Sequence, residues 1–146
     1  MSAGVGIRAA TDSDAEALAR LSGQLGYPSD AETIAQRLRA IAGQRSGAVL
    51  VATEGASVLG FAQVVPQDFL IAAPFVELAA LVVDEQARGA RVGAALLGAA
   101  EQWARERGFA MMRVRSNVIR KDAHRFYLRE GYAENKRQAV FFKHLG

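Results

Sequence analysis

The chain has 146 residues, a net charge of +3 and no cysteine. That length suits one domain with a real core and is too short for two, and the missing thiols exclude disulfides, thiolate metal sites and a cysteine nucleophile. Hydrophobic residues make up 51% and charged ones 23%, the balance of a folded globular domain, and no apolar run approaches the roughly 20 residues that span a bilayer.

In chain order, Val5 to Ala9 reads as a strand, and Thr11-Asp12 offers a helix N-cap. Ala15, Leu18, Ser22 and Leu25 then follow helical spacing up to Gly26-Tyr27-Pro28. A second helix begins after Ser29 or Asp30, with Ile34, Leu38 and Ile41 on one face. Ala48 to Thr53 and Val58 to Val65 form a hairpin around Glu54-Gly55-Ala56-Ser57. Pro66 and Pro74 bracket a loop, and Phe75 to Val83 is a further apolar strand. From Arg88-Gly89-Ala90-Arg91-Val92-Gly93 a helix opens and runs to about Arg107, with Val92, Leu96, Ala99 and Trp103 on one face and Gly108 as its stop. Met111 to Arg115 is a strand, and Asp122 is placed as the N-cap of a helix bearing Ala123, Phe126 and Tyr127, ended by Gly131. Gln138 to Leu145 reads as a closing strand. With no linker or repeat, the order predicts a single mixed α/β domain over residues 1–146.

Two histidines, His124 and His144, make a histidine metal site improbable and are taken as structural, so no metal is expected. Met1 to Thr11 holds no apolar stretch of signal-peptide length, which points to the cytoplasm and away from membranes. Eight basic residues fall between Arg105 and Arg129, and fifteen of the eighteen in the chain are Arg. Such clustering suits nucleic acid or a polyanionic cofactor. No nucleic-acid motif or interleaved stacking aromatics accompany it, so the cofactor is favoured.

The first chemical site is the turn after Val83. A strand that enters a glycine-bearing turn and then a helix presents unpaired N–H groups and the positive helix end, an arrangement suited to pyrophosphate. Gly89 and Gly93 remove the Cβ that would hold a phosphate off; the alternative is an ordinary turn with incidental glycines. These residues resemble the signature of the GCN5-related N-acetyltransferases: Gln or Arg, two residues, Gly, one residue, then Gly or Ala. Arg88 fills the first position and Gly93 the last, but Arg91 stands where the family has its middle glycine. Arg91 must therefore adopt a glycine-like conformation, or the turn is remodelled. Leu81-Val82-Val83-Asp84 before the turn and Ala94-Ala95-Leu96-Leu97 after it match the family well.

Asp122-Ala123-His124-Arg125-Phe126-Tyr127-Leu128-Arg129-Glu130-Gly131-Tyr132 is similar to the family's late signature, in which the tyrosine faces the cofactor sulfur. By spacing alone Tyr127 reads as core; the two signatures in order, about thirty residues apart, favour the catalytic assignment. The string from Ser116 to Tyr132 looks most like the aminoalkylphosphonate N-acetyltransferase branch.

The resemblance implies a sheet of about seven mostly antiparallel strands, splayed at its centre, with flanking helices. It implies acetyl-CoA as cosubstrate, bound by Leu81, Val82, Val83, Arg88, Gly89, Ala90, Arg91, Val92, Gly93, Ala94, Asn117 and Tyr127. The acceptor is expected to be a primary amine on a small molecule, aminoalkylphosphonate-like by branch. Tyr127 would protonate the departing thiolate. Glu77, a lone carboxylate in an apolar strand, is the nominated base, against the plain reading of an outward-facing edge residue. Aminoglycosides, polyamines and protein amines stay open as acceptors, and the lost middle glycine leaves a non-catalytic acetyl-CoA sensor open. Val140, Phe141 and Phe142 in the closing strand suit a homodimer interface and a core equally.

Overall fold

A computed structural model describes residues 4–42, 47–88, 91–116 and 119–146. It resolves into two compact units, Met1–Val114 and Arg115–Gly146.

In the first unit, β1 (Gly6–Ala9) leads through a 3-10 turn (Asp12–Asp14) into α1 (Ala15–Leu25) and α2 (Ala31–Ala42). The local signals act as expected. Thr11 N–H donates to Asp14 Oδ2 at 2.7 Å, Gly26 ends α1 at φ 101°, and Thr33 N–H donates to Asp30 Oδ1 at 2.7 Å. β2 (Ala48–Glu54), β3 (Ser57–Gln67) and β4 (Phe75–Val83) follow, then a 3-10 turn (Glu85–Ala87), α3 (Val92–Glu106) and β5 (Met112–Val114). β3 runs through Pro66, which was expected to begin the loop, and Pro66 lies opposite Val76 of β4.

The sheet order is β1-β2-β3-β4-β5, antiparallel except for the parallel β4–β5 pair, whose crossover is α3. Leu18 and Leu21 of α1 and Leu38 of α2 cluster with Val51, Val58 and Val82 of the sheet. α3 packs across β1 to β4 with Val92, Leu96, Leu97, Ala100 and Ala104 buried. Gly60 of β3 is needed for this packing: a Cβ there would lie 2.6 Å from the Val82 carbonyl oxygen and 3.1 Å from Leu96 Cδ1.

The second unit carries α4 (Lys121–Arg129), stopped by Gly131 at φ 95°. Two expectations fail here. Asp122 does not cap α4; Arg120 is the N-cap, and Asp122 lies in the first turn, ion-paired with Arg125. An acid in the first turn still complements the helix dipole. The tail from Gln138 to Leu145 forms no strand, and Val140, Phe141, Phe142 and Leu145 are exposed. A short apolar run such as Ala139 to Phe142 favours extended backbone but supplies no pairing partner, and no described ladder includes this segment. Five strands are thus present among the described residues rather than about seven, in the expected α/β architecture.

Candidate active site

The site is organised by a break in β4. Opposite β3, Gln63 pairs with Ala80 and Val64 with Leu78, so Ala79 is an extra residue, a β-bulge. The β4–β5 ladder covers only Val76–Met112, Glu77–Arg113 and Leu78–Val114. It stops where the bulge begins, while β4 continues to Val83 without β5 beside it. The ladder ends with β5 itself, at Val114. From Ala79 to Val83 no described ladder occupies the β5 side of β4, and main-chain pairing on such a stretch can hold an extended ligand as an added strand. Leu81, Val82 and Val83 lie in this stretch, with Val82 buried and its neighbours half-buried.

α1 fixes the end of β4. Arg20 Nη1 sits 2.5 Å from Asp84 Oδ2, Gln24 Nε2 donates to Asp84 Oδ1 at 3.4 Å, and Gln24 Oε1 accepts from Glu85 N–H at 3.0 Å. Asp84 also caps the 3-10 turn by accepting from Gln86 N–H at 3.1 Å. That backbone donor, followed by Arg20, holds its carboxyl below the ordinary range. Arg20 and Gln24 carry no sequence signature. They are found only when α1 is seen beside the end of β4.

After the turn Arg88 is exposed in extended conformation, and Arg91 has φ 64° and ψ 21°. Arg91 is the one non-glycine residue at positive φ among the described residues. Of the two expected outcomes, Arg91 thus takes the glycine-like conformation. Val92, Gly93 and Ala94 form the first turn of α3, and the ladder of helical bonds begins with Ala95 N–H on the Arg91 carbonyl at 3.1 Å. The N–H groups of the first turn therefore have no intrahelical acceptor and point with the positive helix end. Gly89, Ala90 and Asn117, also expected at the cofactor, lie outside the described residues.

Glu77 is not an outward-facing solvated residue. Arg113 Nε donates to its Oε1 at 2.7 Å, and Arg113 Nη2 is on the same oxygen. The side chains are only 16% and 27% exposed. The guanidinium lies over the Phe75 ring at 4.5 Å, with the Phe69 ring at 5.8 Å. The parallel register opposes Glu77 to Arg113, a pairing that no local pattern in either strand announces.

In the second unit, Tyr127 is half-buried on α4 between Phe126 and Tyr132, in edge-on contacts at 5.2 and 5.9 Å. Burial pushes its phenol above the ordinary value of 10.0, partly opposed by the positive charge of Arg120. Among the described residues no group of three His, Asp or Glu side chains is placed to hold a metal ion. No described helix is long and apolar enough to cross a membrane.

A bulged strand that parts from its neighbour and feeds a left-handed turn at a helix N-terminus defines the acyl-CoA N-acyltransferase class of folds. The acetyltransferase (GNAT) family model matches residues 15–132, and the chain belongs to this family of acetyl-CoA-dependent N-acetyltransferases. It is 46% identical over 59 residues to an aminoalkylphosphonate N-acetyltransferase of Salmonella typhimurium, a match covering 40% of this chain and 38% of that protein. It is 32% identical over 98 residues to the uncharacterized N-acetyltransferase YhdJ of Bacillus subtilis, covering 67% of this chain and 69% of that protein. The aminoglycoside N-acetyltransferase AAC(6')-Iy, solved in complex with CoA, shares the fold with a TM-score of 0.87 at 19% identity, over 100% of this chain and 98% of that chain.

Proposed function

We propose that this protein transfers the acetyl group of acetyl-CoA to the primary amine of a small molecule, with aminoalkylphosphonate-like acceptors favoured. The observation that carries this reading is the stretch of β4 from Ala79 to Val83, which no described ladder occupies on the β5 side and which precedes the N-terminus of α3 in the chain. Pantetheine has amide groups that pair with such an edge, and pyrophosphate suits the first-turn N–H groups of α3. The left-handed Arg91 takes the conformation that the missing glycine would have, which supports a working enzyme over a sensor. The branch preference rests on the partial match to the Salmonella protein. Residues 1–146 would act as one domain in the cytoplasm; the family match runs through both units.

In the reaction the acceptor arrives as an ammonium ion, whose deprotonation at neutral pH costs roughly 4–5 kcal/mol for an amine of lysine-like pKa. Glu77 takes that proton, directly or through a water. The amine lone pair attacks the thioester carbon, the carbonyl oxygen gains negative charge, and β4 backbone N–H groups near Leu81 to Val83 stabilise it. The C–S bond then breaks, and Tyr127, in the role its motif implies, protonates the thiolate.

The test is CoA thiol release with a panel of amines, run on wild type and Glu77→Gln across pH. The variant keeps the shape of the side chain but cannot take a proton. Its defect should be largest near pH 7 and shrink at high pH, where the amine arrives free. A defect equal at every pH would assign Glu77 to structure instead.

A further inference from the structure

The Glu77–Arg113 pair gives an apolar strand end two opposite charges, and both side chains are only partly shielded from water. A cross-strand ion pair can serve the sheet alone. Three features of this one go further. Both described contacts of the guanidinium with Glu77 fall on a single carboxylate oxygen, Oε1, so they engage one of the two atoms that could take the proton. A guanidinium carries five N–H donors in a planar fork, more than one oxygen can accept. The fork is also held in place without Glu77, because it lies 4.5 Å over Phe75, a ring that is 2% exposed.

We propose that Arg113 is the acceptor-selecting residue, binding an oxyanion at the far end of the amine substrate and, in doing so, releasing Glu77 Oε1 to act as base. This rests on the acetyl-transfer reading above and names its substrate class: a short zwitterion with a primary ammonium at one end and a phosphonate or carboxylate at the other. Charge is conserved in the exchange. The resting Glu77–Arg113 pair and the acceptor's own two charges become two new pairs, oxyanion with Arg113 and ammonium with Glu77. The ammonium proton then passes to Glu77 Oε1, and the freed lone pair attacks the thioester carbon as already described. An acceptor without an anionic end leaves Arg113 on Oε1. A polycation places a second positive charge against Arg113, so the same residue selects against aminoglycosides and polyamines.

The experiment compares 2-aminoethylphosphonate, β-alanine and propylamine as acceptors for wild type, Arg113→Gln and Arg113→Lys. It reads the ratio of kcat/KM for each zwitterion to that for propylamine. A ratio within one preparation is insensitive to the fraction of protein that is folded. Wild type should prefer the zwitterions; Arg113→Gln should lower the ratio at least about tenfold, mostly through KM, the loss expected for a charge-assisted hydrogen bond. Arg113→Lys should restore part of it, and more of the β-alanine ratio than of the phosphonate ratio, because a point charge lacks the bidentate fork. Calorimetry with ethylphosphonate, which has no amine, should show binding to wild type and none to Arg113→Gln. The proposal is overturned if wild type does not discriminate between the acceptors. It is equally overturned if Arg113→Gln loses activity in the same proportion on all three while ethylphosphonate still binds, the signature of a purely structural pair. Absence of thiol release from wild type with every amine would sink the acetyl-transfer reading instead, and ethylphosphonate binding would still decide the role of Arg113.

Discussion

Tyr127 shows how one environment serves two demands. Its ring is packed between Phe126 and Tyr132, and the burial that stabilises α4 also raises the phenol above its ordinary value. The hydroxyl is therefore fully protonated at neutral pH, as an acid must be before it acts. The drawback is driving force: donation from a phenol near ~10 to a thiolate near ~8.5 is uphill by roughly 2 kcal/mol, and a raised pKa adds to that. Removing the hydroxyl while keeping the ring separates the roles. Tyr127→Phe should lower kcat by roughly ten- to a thousandfold with acetyl-CoA affinity unchanged. Because burial raises the pKa, any loss of wild-type rate through tyrosine ionisation should reach its midpoint only above pH 10. Wild-type turnover by Tyr127→Phe would return the residue to packing alone.

At the scale of elements, the junction from β4 to α3 is the part under strain. Arg91 occupies the left-handed region at φ 64°, where a Cβ crowds the following carbonyl at a cost of about 1–2 kcal/mol. The surroundings hold it there: Arg20 and Gln24 pin Asp84 and Glu85 on one side of the turn, and Val92, 1% exposed, anchors α3 on the other. Arg91→Gly should relieve the strain and lose part of the gain to the wider freedom of glycine in the unfolded chain, for a net stabilisation of about 0.5–1 kcal/mol. Thermal unfolding checks this. The melting temperature should rise by about 1–4 °C for a chain of this size, and a fall would show that the arginine makes contacts worth more than the strain.

For the whole molecule, an acid-sensitive link in the first unit is Asp14, a carboxylate only 5% exposed where β1 meets the 3-10 turn. Arg8 grips it with two hydrogen bonds of 2.8 and 2.9 Å, and Thr11 N–H adds a third at 2.7 Å. Arg8 foremost, then these neighbours, hold its pKa below the ordinary 3.8. A carboxylate with a depressed folded-state pKa contributes stability that is present above the unfolded value. That contribution is lost as pH falls below 3.8 and through the folded value. Asp14→Asn should cost about 2 kcal/mol at pH 7, the worth of hydrogen bonds to a charged group. It should also flatten the acid limb of stability below pH 4, read by urea unfolding at several pH values. A variant as acid-sensitive as wild type would place the critical carboxylate elsewhere.

The sequence by itself determined what neighbours along the chain decide. Gly26, Gly108 and Gly131 stop helices at positive φ, Asp30 starts α2, and Phe75–Val83 is a strand because its apolar run is bounded by Pro74 and Asp84. The turn signature left two outcomes at its one irregularity, a glycine-like Arg91 or a remodelled turn, and Arg91 takes the glycine-like conformation. Gly89, Ala90 and Asn117 keep only their sequence-based expectation. What remained was non-local. The bulge at Ala79 exists only against β3, and the partner of Glu77 follows from a parallel register set through the α3 crossover. The tail from Gln138 to Leu145 had the Val and Phe content of a strand without the ladder that makes one. A pattern of period two fixes which side chains share a face. Hydrogen bonds to another strand decide whether there is a strand at all, and only the tertiary structure supplies or withholds them.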